Sequence, residues 1–119
     1  MHTIETVDVA GSSMEVFLFE PPGSERCAGL VLAQHIPVGH TGIENDEFTL
    51  VAARRFAEAG FYVAAPFIFH WWPKTDSIEK KREQSRDDWM RDDMQAAFDL
   101  LASKPRVDET RIGAAGHCW

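Results

Sequence analysis

The sequence predicts an α/β domain: a mostly parallel sheet with helices on both faces, opened by an antiparallel hairpin. Three observations carry this. Residues 29–33, 61–65 and 111–115 are continuous apolar runs of strand length, as expected for strands covered on both faces. Segments with apolar positions at helical spacing separate these runs, which is the βαβ pattern. Residues 3–9 and 14–19 instead alternate apolar with polar, as in a hairpin with one solvated face.

Taken in order, the hairpin strands are joined by Ala10-Gly11-Ser12-Ser13 and read as sheet-edge scaffold. Pro21-Pro22-Gly23 interrupts the regular structure before the first buried strand. A polar, glycine-bearing loop follows from Gln34 to Gly42. It leads to a helix over about 46–59, with Phe48, Val51, Ala52 and Phe56 on one stripe and Gly60 as its stop. The strand at 61–65 ends at Pro66 and pairs in parallel with the strand before the helix. An aromatic segment, Phe67 to Pro73, and a charged stretch precede a helix over roughly 86–103. Its stripe is Trp89, Met90, Met94, Ala97, Phe98 and Leu101, and Lys104-Pro105 closes it. The third buried strand then delivers Cys118 at its C-terminal end, the edge where open parallel sheets bind ligands.

With 119 residues, 45% hydrophobic and 26% charged, the chain is a single globular domain at most. A net charge of -7 argues against a nucleic-acid backbone or an anionic membrane as partner. The cluster Lys80-Lys81-Arg82 sits among Glu79, Glu83 and Asp87 and reads as a solvated, mixed-charge helix. Two cysteines make no disulfide framework, and no signal peptide is visible, so a cytoplasmic setting is expected. Cys27, beside Arg26, reads as a surface thiol. The apolar stretch 61–72 is interrupted by Pro66 and His70 and is too short to span a membrane. No metal and no cofactor are expected. The histidines and Cys118 lack the close spacing of zinc motifs, and Gly113-Ala114-Ala115-Gly116 lacks the G-x-G-x-x-G pattern.

Gly116-His117-Cys118 at a strand end has the chemistry of a nucleophile elbow. A small residue precedes the nucleophile, whose thiol meets the positive end of a helix dipole. The alternative is a buried cysteine that fills space. An acyl-transfer enzyme also needs oxyanion donors, and the backbone N–H groups of Trp119 and of a residue near Ile36 occupy the corresponding positions. His35 reads equally as a second functional group beside the thiol or as a polar cap on a strand end. His117 reads as pocket rim. His70, Trp71 and Trp72 line an apolar substrate pocket or pack as core or subunit interface.

Over nearly its whole length the sequence resembles the dienelactone hydrolase family of α/β hydrolases, with a narrower likeness to a metagenome-derived member described as a phosphotriesterase. The resemblance rests on Gln34-His35-Ile36, residues 52–61, Ala65-Pro66, Arg82-Glu83-Gln84 and Gly116-His117-Cys118-Trp119. It implies that residues 1–119 are the N-terminal part of a single α/β-hydrolase domain ending at the elbow. Cys118 is then the nucleophile, Ile36 and Trp119 give the oxyanion N–H groups, and Arg82 matches an arginine that binds a substrate carboxylate. An Asp and a His complete the triad from the remainder of the domain, because they follow the nucleophile in chain order. Where the family carries a Glu that restrains the resting thiol, this chain has His35, and an imidazole favours the thiolate. Phe67 stands where an Asp is common. The expected substrate is a small neutral, aryl-bearing ester or lactone, with neutral phosphotriesters as a secondary substrate. The alternative is a non-catalytic fragment or interaction module of a split domain.

Overall fold

The computed structural model describes residues 2–34 and 42–116. One five-stranded sheet runs through it in the order β1-β2-β4-β3-β5, from β1 (Thr3–Val9), β2 (Ser12–Phe19), β3 (Cys27–Leu32), β4 (Tyr62–Pro66) and β5 (Val107–Ala115). The helices are α1 (Glu47–Glu58), α2 (Ile78–Gln84) and α3 (Asp87–Ala102).

The hairpin turn is tighter than the four residues expected. Ala10 and Gly11 alone form it, with φ of 48° and 87°, the mirror-image turn whose twist matches that of the flanking strands. Ser12 and Ser13 therefore join β2, which pairs with β1 from Thr3↔Leu18 to Val9↔Ser12. Of the two hairpin strands only β1 keeps a solvated face. β2 lies inside the sheet against β4 (Val16↔Pro66 to Phe19↔Val63), so Val16, Phe17, Leu18 and Phe19 are all buried. Alternation in its sequence had suggested a half-exposed strand, but a neighbour on each side and helices on both faces leave no solvated side.

β3, α1 and β4 form the expected parallel unit, with Gly29↔Tyr62 to Val31↔Ala64 in register. Asp46 caps α1 by accepting from the Thr49 N–H at 3.1 Å, and Gly60 ends it at φ 109°. One face of the sheet buries Phe17, Phe19, Leu30, Leu32, Val63 and Ala65 with Ala53 and Ala57 of α1. The other buries Val16, Leu18, Val31, Tyr62 and Ala64 with Ala97 and Leu101 of α3. Burying each of the two phenylalanines stabilises the fold by about 1.5–3 kcal/mol.

Gly29 is where three elements converge. A Cβ there would meet the side chains of Ile112 and Val107 of β5 at 3.2 Å and of Leu101 of α3 at 3.4 Å, so even a methyl group would require the two β5 side chains to give by a few tenths of an ångström. β5 itself differs from expectation. It begins at Val107 rather than 111, and of its nine residues only Val107 is buried. Among the described residues it pairs with β3 alone, so its outer edge and much of both faces lie open. Cys27 is also corrected. It is the first residue of β3 and is buried, its Sγ donating to the Arg106 carbonyl at 3.5 Å, because pairing with the start of β5 covers it.

Candidate active site

β3, β4 and β5 point the same way, so Leu32, Pro66 and Ala115 mark one carboxyl edge of the sheet. The Ala33 N–H donates to the Ala115 carbonyl at 2.8 Å, which carries the β3–β5 pairing past the last strand residues. Gly116 follows, exposed, and a Cβ there would lie 3.5 Å from that of Ala33. The candidate nucleophile Cys118, the oxyanion donors Ile36 and Trp119, and the flanking His35 and His117 lie outside the described residues. The described chain leads to them from two adjacent strands, through Gln34 and Gly116.

At this edge a cavity of about 300 Å³ opens between α1 and β5, lined by Leu32, Ala33, Ala52, Phe56, Ala115 and Gly116 among others. A larger open groove of about 750 Å³ runs along α1 past Phe48, Val51 and Phe56. Phe48, placed by the sequence on the buried stripe, is 47% exposed, because the strand edge beyond α1 is bare among the described residues.

His70, Trp71 and Trp72 are drawn into packing and hydrogen bonds. His70 Nδ1 lies 2.7 Å from Ser12 Oγ and its Nε2 lies 2.6 Å from Asp93 Oδ1, while the Trp71 indole N–H donates to Asp93 Oδ2 at 3.1 Å. Trp71 stacks on Trp89 at 4.6 Å and 11°, and the Trp72 indole N–H donates to Gln84 at 2.8 Å. These contacts fit the packing reading of the cluster, and none of the three rings borders the cavity beside β5. The Ser12–His70–Asp93 chain has the composition of a hydrolytic triad. Ser12 lines neither the groove along α1 nor the cavity beside β5, however, and the geometry of the chain is that of a tie between β2, the aromatic segment and α3.

Arg82 is exposed on α2. Its neighbour Lys81 is the residue turned inward, fully buried, donating to the Lys74 carbonyl at 3.5 Å and sitting 5.7 Å over the Phe69 ring. That corrects the reading of 80–82 as uniformly solvated: on so short a helix one position must face the aromatic core. Desolvation holds the Lys81 pKa below the usual lysine range. Lys74 shows the opposite balance. Burial pulls its pKa down, but hydrogen bonds to Glu44 and Glu15 at 3.2 and 3.3 Å outweigh that and raise it.

Asp93 escaped the sequence reading although a signal for it existed. Positions 89, 93, 97 and 101 are spaced by four on α3, so the aspartate stands on the buried stripe between Trp89 and Ala97. Among the described residues no group of three or more His, Cys, Asp or Glu is placed to hold a metal ion. No helix of the described residues is long and apolar enough to cross a membrane.

The model of the dienelactone hydrolase family matches residues 14–119. No curated protein matches the chain. Among solved structures it is similar to a candidate dienelactone hydrolase from Klebsiella pneumoniae subsp. pneumoniae MGH 78578, with TM-score 0.81 and 18% identity over 100% of this chain and 50% of that one. It is similar to a protein called m3DLH, with TM-score 0.78 and 23% identity over 99% of this chain and 49% of the other. A third likeness is to P91, a dienelactone hydrolase-like promiscuous phosphotriesterase from metagenomic libraries, with TM-score 0.75 and 20% identity over 99% and 49% of the two chains. At such identities the likeness shows the fold, and the chain spans about half the length of these structures.

Proposed function

The chain belongs to the dienelactone hydrolase family, and from that premise we propose that residues 1–119 are the N-terminal part of one α/β-hydrolase domain that cleaves esters or lactones with a cysteine nucleophile. The family match carries this reading, because it runs through Gly116-His117-Cys118-Trp119. The described geometry supports it: β5 leads to that segment at the carboxyl edge of the sheet, beside β3 and an apolar cavity of acyl-group size.

In the proposed reaction the Cys118 thiolate attacks the ester carbonyl carbon. A C–S bond forms, and the oxyanion is held by the N–H groups of Ile36 and Trp119. Collapse breaks the C–O bond. A histidine from the remainder of the domain, oriented by an aspartate, protonates the leaving alkoxide. The same histidine takes a proton from water, which attacks the thioester and releases the acid and the thiol. His35 favours the thiolate as a neighbouring imidazole. Arg82 supplies a cation to a substrate that carries a carboxylate. His70, Trp71 and Trp72 act as the packed aromatic base under the crevice rather than as substrate contacts. The likeness to P91 makes neutral phosphotriesters the secondary substrate to try. A reducing compartment such as the cytoplasm suits a free thiol of this kind.

Hydrolysis of p-nitrophenyl acetate by the full-length protein and its Cys118→Ala variant tests the mechanism. The variant should lose about 10³-fold or more in kcat, and undiminished turnover would exclude Cys118 as nucleophile.

A further inference from the structure

α2 (Ile78–Gln84) lies between Pro66, which ends β4 at the carboxyl edge of the sheet, and Asp87, from which α3 carries the chain back to the start of β5. A helix of seven residues does not hold its place by itself, so its orientation comes from what it touches. Lys81 is its single buried residue, with the ammonium donating to the Lys74 carbonyl at 3.5 Å and standing 5.7 Å over the Phe69 ring. Three residues on, Gln84 accepts from the Trp72 indole N–H at 2.8 Å.

The three cations of α2 thereby take different places. With about 100° between successive residues, burying Lys81 turns Lys80 to one flank, where it pairs with Asp76 at 3.2 Å, and Arg82 to the other. Arg82 is exposed, and among the described residues its guanidinium has no ion-pair partner. A desolvated ammonium contributes poorly to stability, but it specifies orientation. Small shifts of α2 would pull it off the Lys74 carbonyl while it stays out of water, whereas an unbranched apolar side chain tolerates many orientations. We propose that Lys81 is a positioning residue for Arg82: its buried ammonium, set on the Lys74 carbonyl and the Phe69 ring, fixes the rotation of α2 and so presents the Arg82 guanidinium at the carboxyl edge to an anionic group of the substrate. This rests on the reading of Arg82 given above, and it makes α2 the element that selects esters carrying a carboxylate.

KM and kcat of the full-length protein are compared for p-nitrophenyl acetate and for mono-p-nitrophenyl succinate, which carries a carboxylate, with urea midpoints alongside. Arg82→Ala should raise KM for the succinate relative to the acetate by about tenfold. Lys81→Met should raise the same ratio by about threefold or more, without loss of stability, and should add nothing in the Arg82→Ala background. Gln84→Leu, which frees α2 from Trp72 and leaves Lys81 in place, should shift the ratio in the same direction and carries the test if the methionine variant does not fold. An unchanged ratio in Arg82→Ala ends the carboxylate reading and the positioning role with it. A wild-type ratio in Lys81→Met, where Arg82→Ala has shifted it, overturns the positioning role alone. So does a lowered kcat for both esters with the KM ratio intact, the mark of a packing role, or an equal shift with and without Arg82.

Discussion

Nε2 of His70 and Oδ1 of Asp93 lie 2.6 Å apart, with the two side chains 2% and 0% exposed. With the carboxylate ionised, Nε2–H donates to it and the Ser12 hydroxyl donates to Nδ1, a tautomer assigned from these partners. The Trp71 N–H uses the other carboxylate oxygen. The hairpin, the aromatic segment and α3 thus meet at one buried acid. Asp93→Ala leaves two donors without an acceptor and should destabilise the full-length protein by about 3–5 kcal/mol in urea unfolding. Asp93→Asn, which keeps one acceptor, should cost about 1–3 kcal/mol. A loss below about 1 kcal/mol for the alanine variant would show that the tie carries no structural weight.

Lys81 leads to the opposite expectation. Its ammonium is buried against Phe69 with one long hydrogen bond to a carbonyl, and desolvation lowers its pKa. Below that lowered value the charge counts against folding, and the cost fades as pH rises toward the ordinary 10.5. Lys81→Met should therefore raise stability at pH 7 by about 1 kcal/mol. The difference should shrink when urea midpoints are compared at pH 10.

Asp108, at the start of β5, accepts from the Thr110 hydroxyl at 2.6 Å, from the Thr110 N–H at 3.0 Å and from Arg111 at 3.0 Å. These bonds lower its pKa from 3.8 to about 2. Its contribution is therefore complete above pH 3.8 and is lost as pH falls through the folded value of about 2. Asp108→Asn should flatten that part of an acid-unfolding curve; an unchanged acid limb would show that the carboxylate has no net effect on folding.

If His35 promotes the Cys118 thiolate, His35→Glu should raise the apparent thiol pKa seen in the pH profile of iodoacetamide alkylation. A profile that does not move would remove His35 from the mechanism.

The bare edge of β5 carries a prediction about residues 1–119 in isolation. Most of β5 is uncovered and Phe48 is 47% exposed beside an open apolar groove. Residues 1–119 alone should show no cooperative thermal transition and should associate through that edge. A sharp, concentration-independent melt would show that the described core suffices.

Much of the architecture was legible in the sequence because it is written in local periodicity. The alternation of residues 3–9, the stripe of α3 and the βαβ order each follow from a single stretch of chain. The Gly-x-Cys ending and Gln34-His35-Ile36 likewise marked the family without any coordinates. Burial of β2 on both faces, exposure of β5 and the covering of Cys27 depended on which strands became neighbours, and neighbours are a long-range property. Lys81 and Arg82 are adjacent and chemically alike, yet only packing against Phe69 decides which is buried. The orphaned amide of Gln34 is of the same kind. A glutamine after a strand looks like any polar loop residue until the tertiary structure closes over it and leaves its amide without a hydrogen-bond partner among the described residues. The sequence by itself determined the elements and the family, because those rest on local chemistry. The tertiary structure alone decided which polar groups were buried and with whom, because desolvation depends on everything packed around a group and not on its neighbours in the chain.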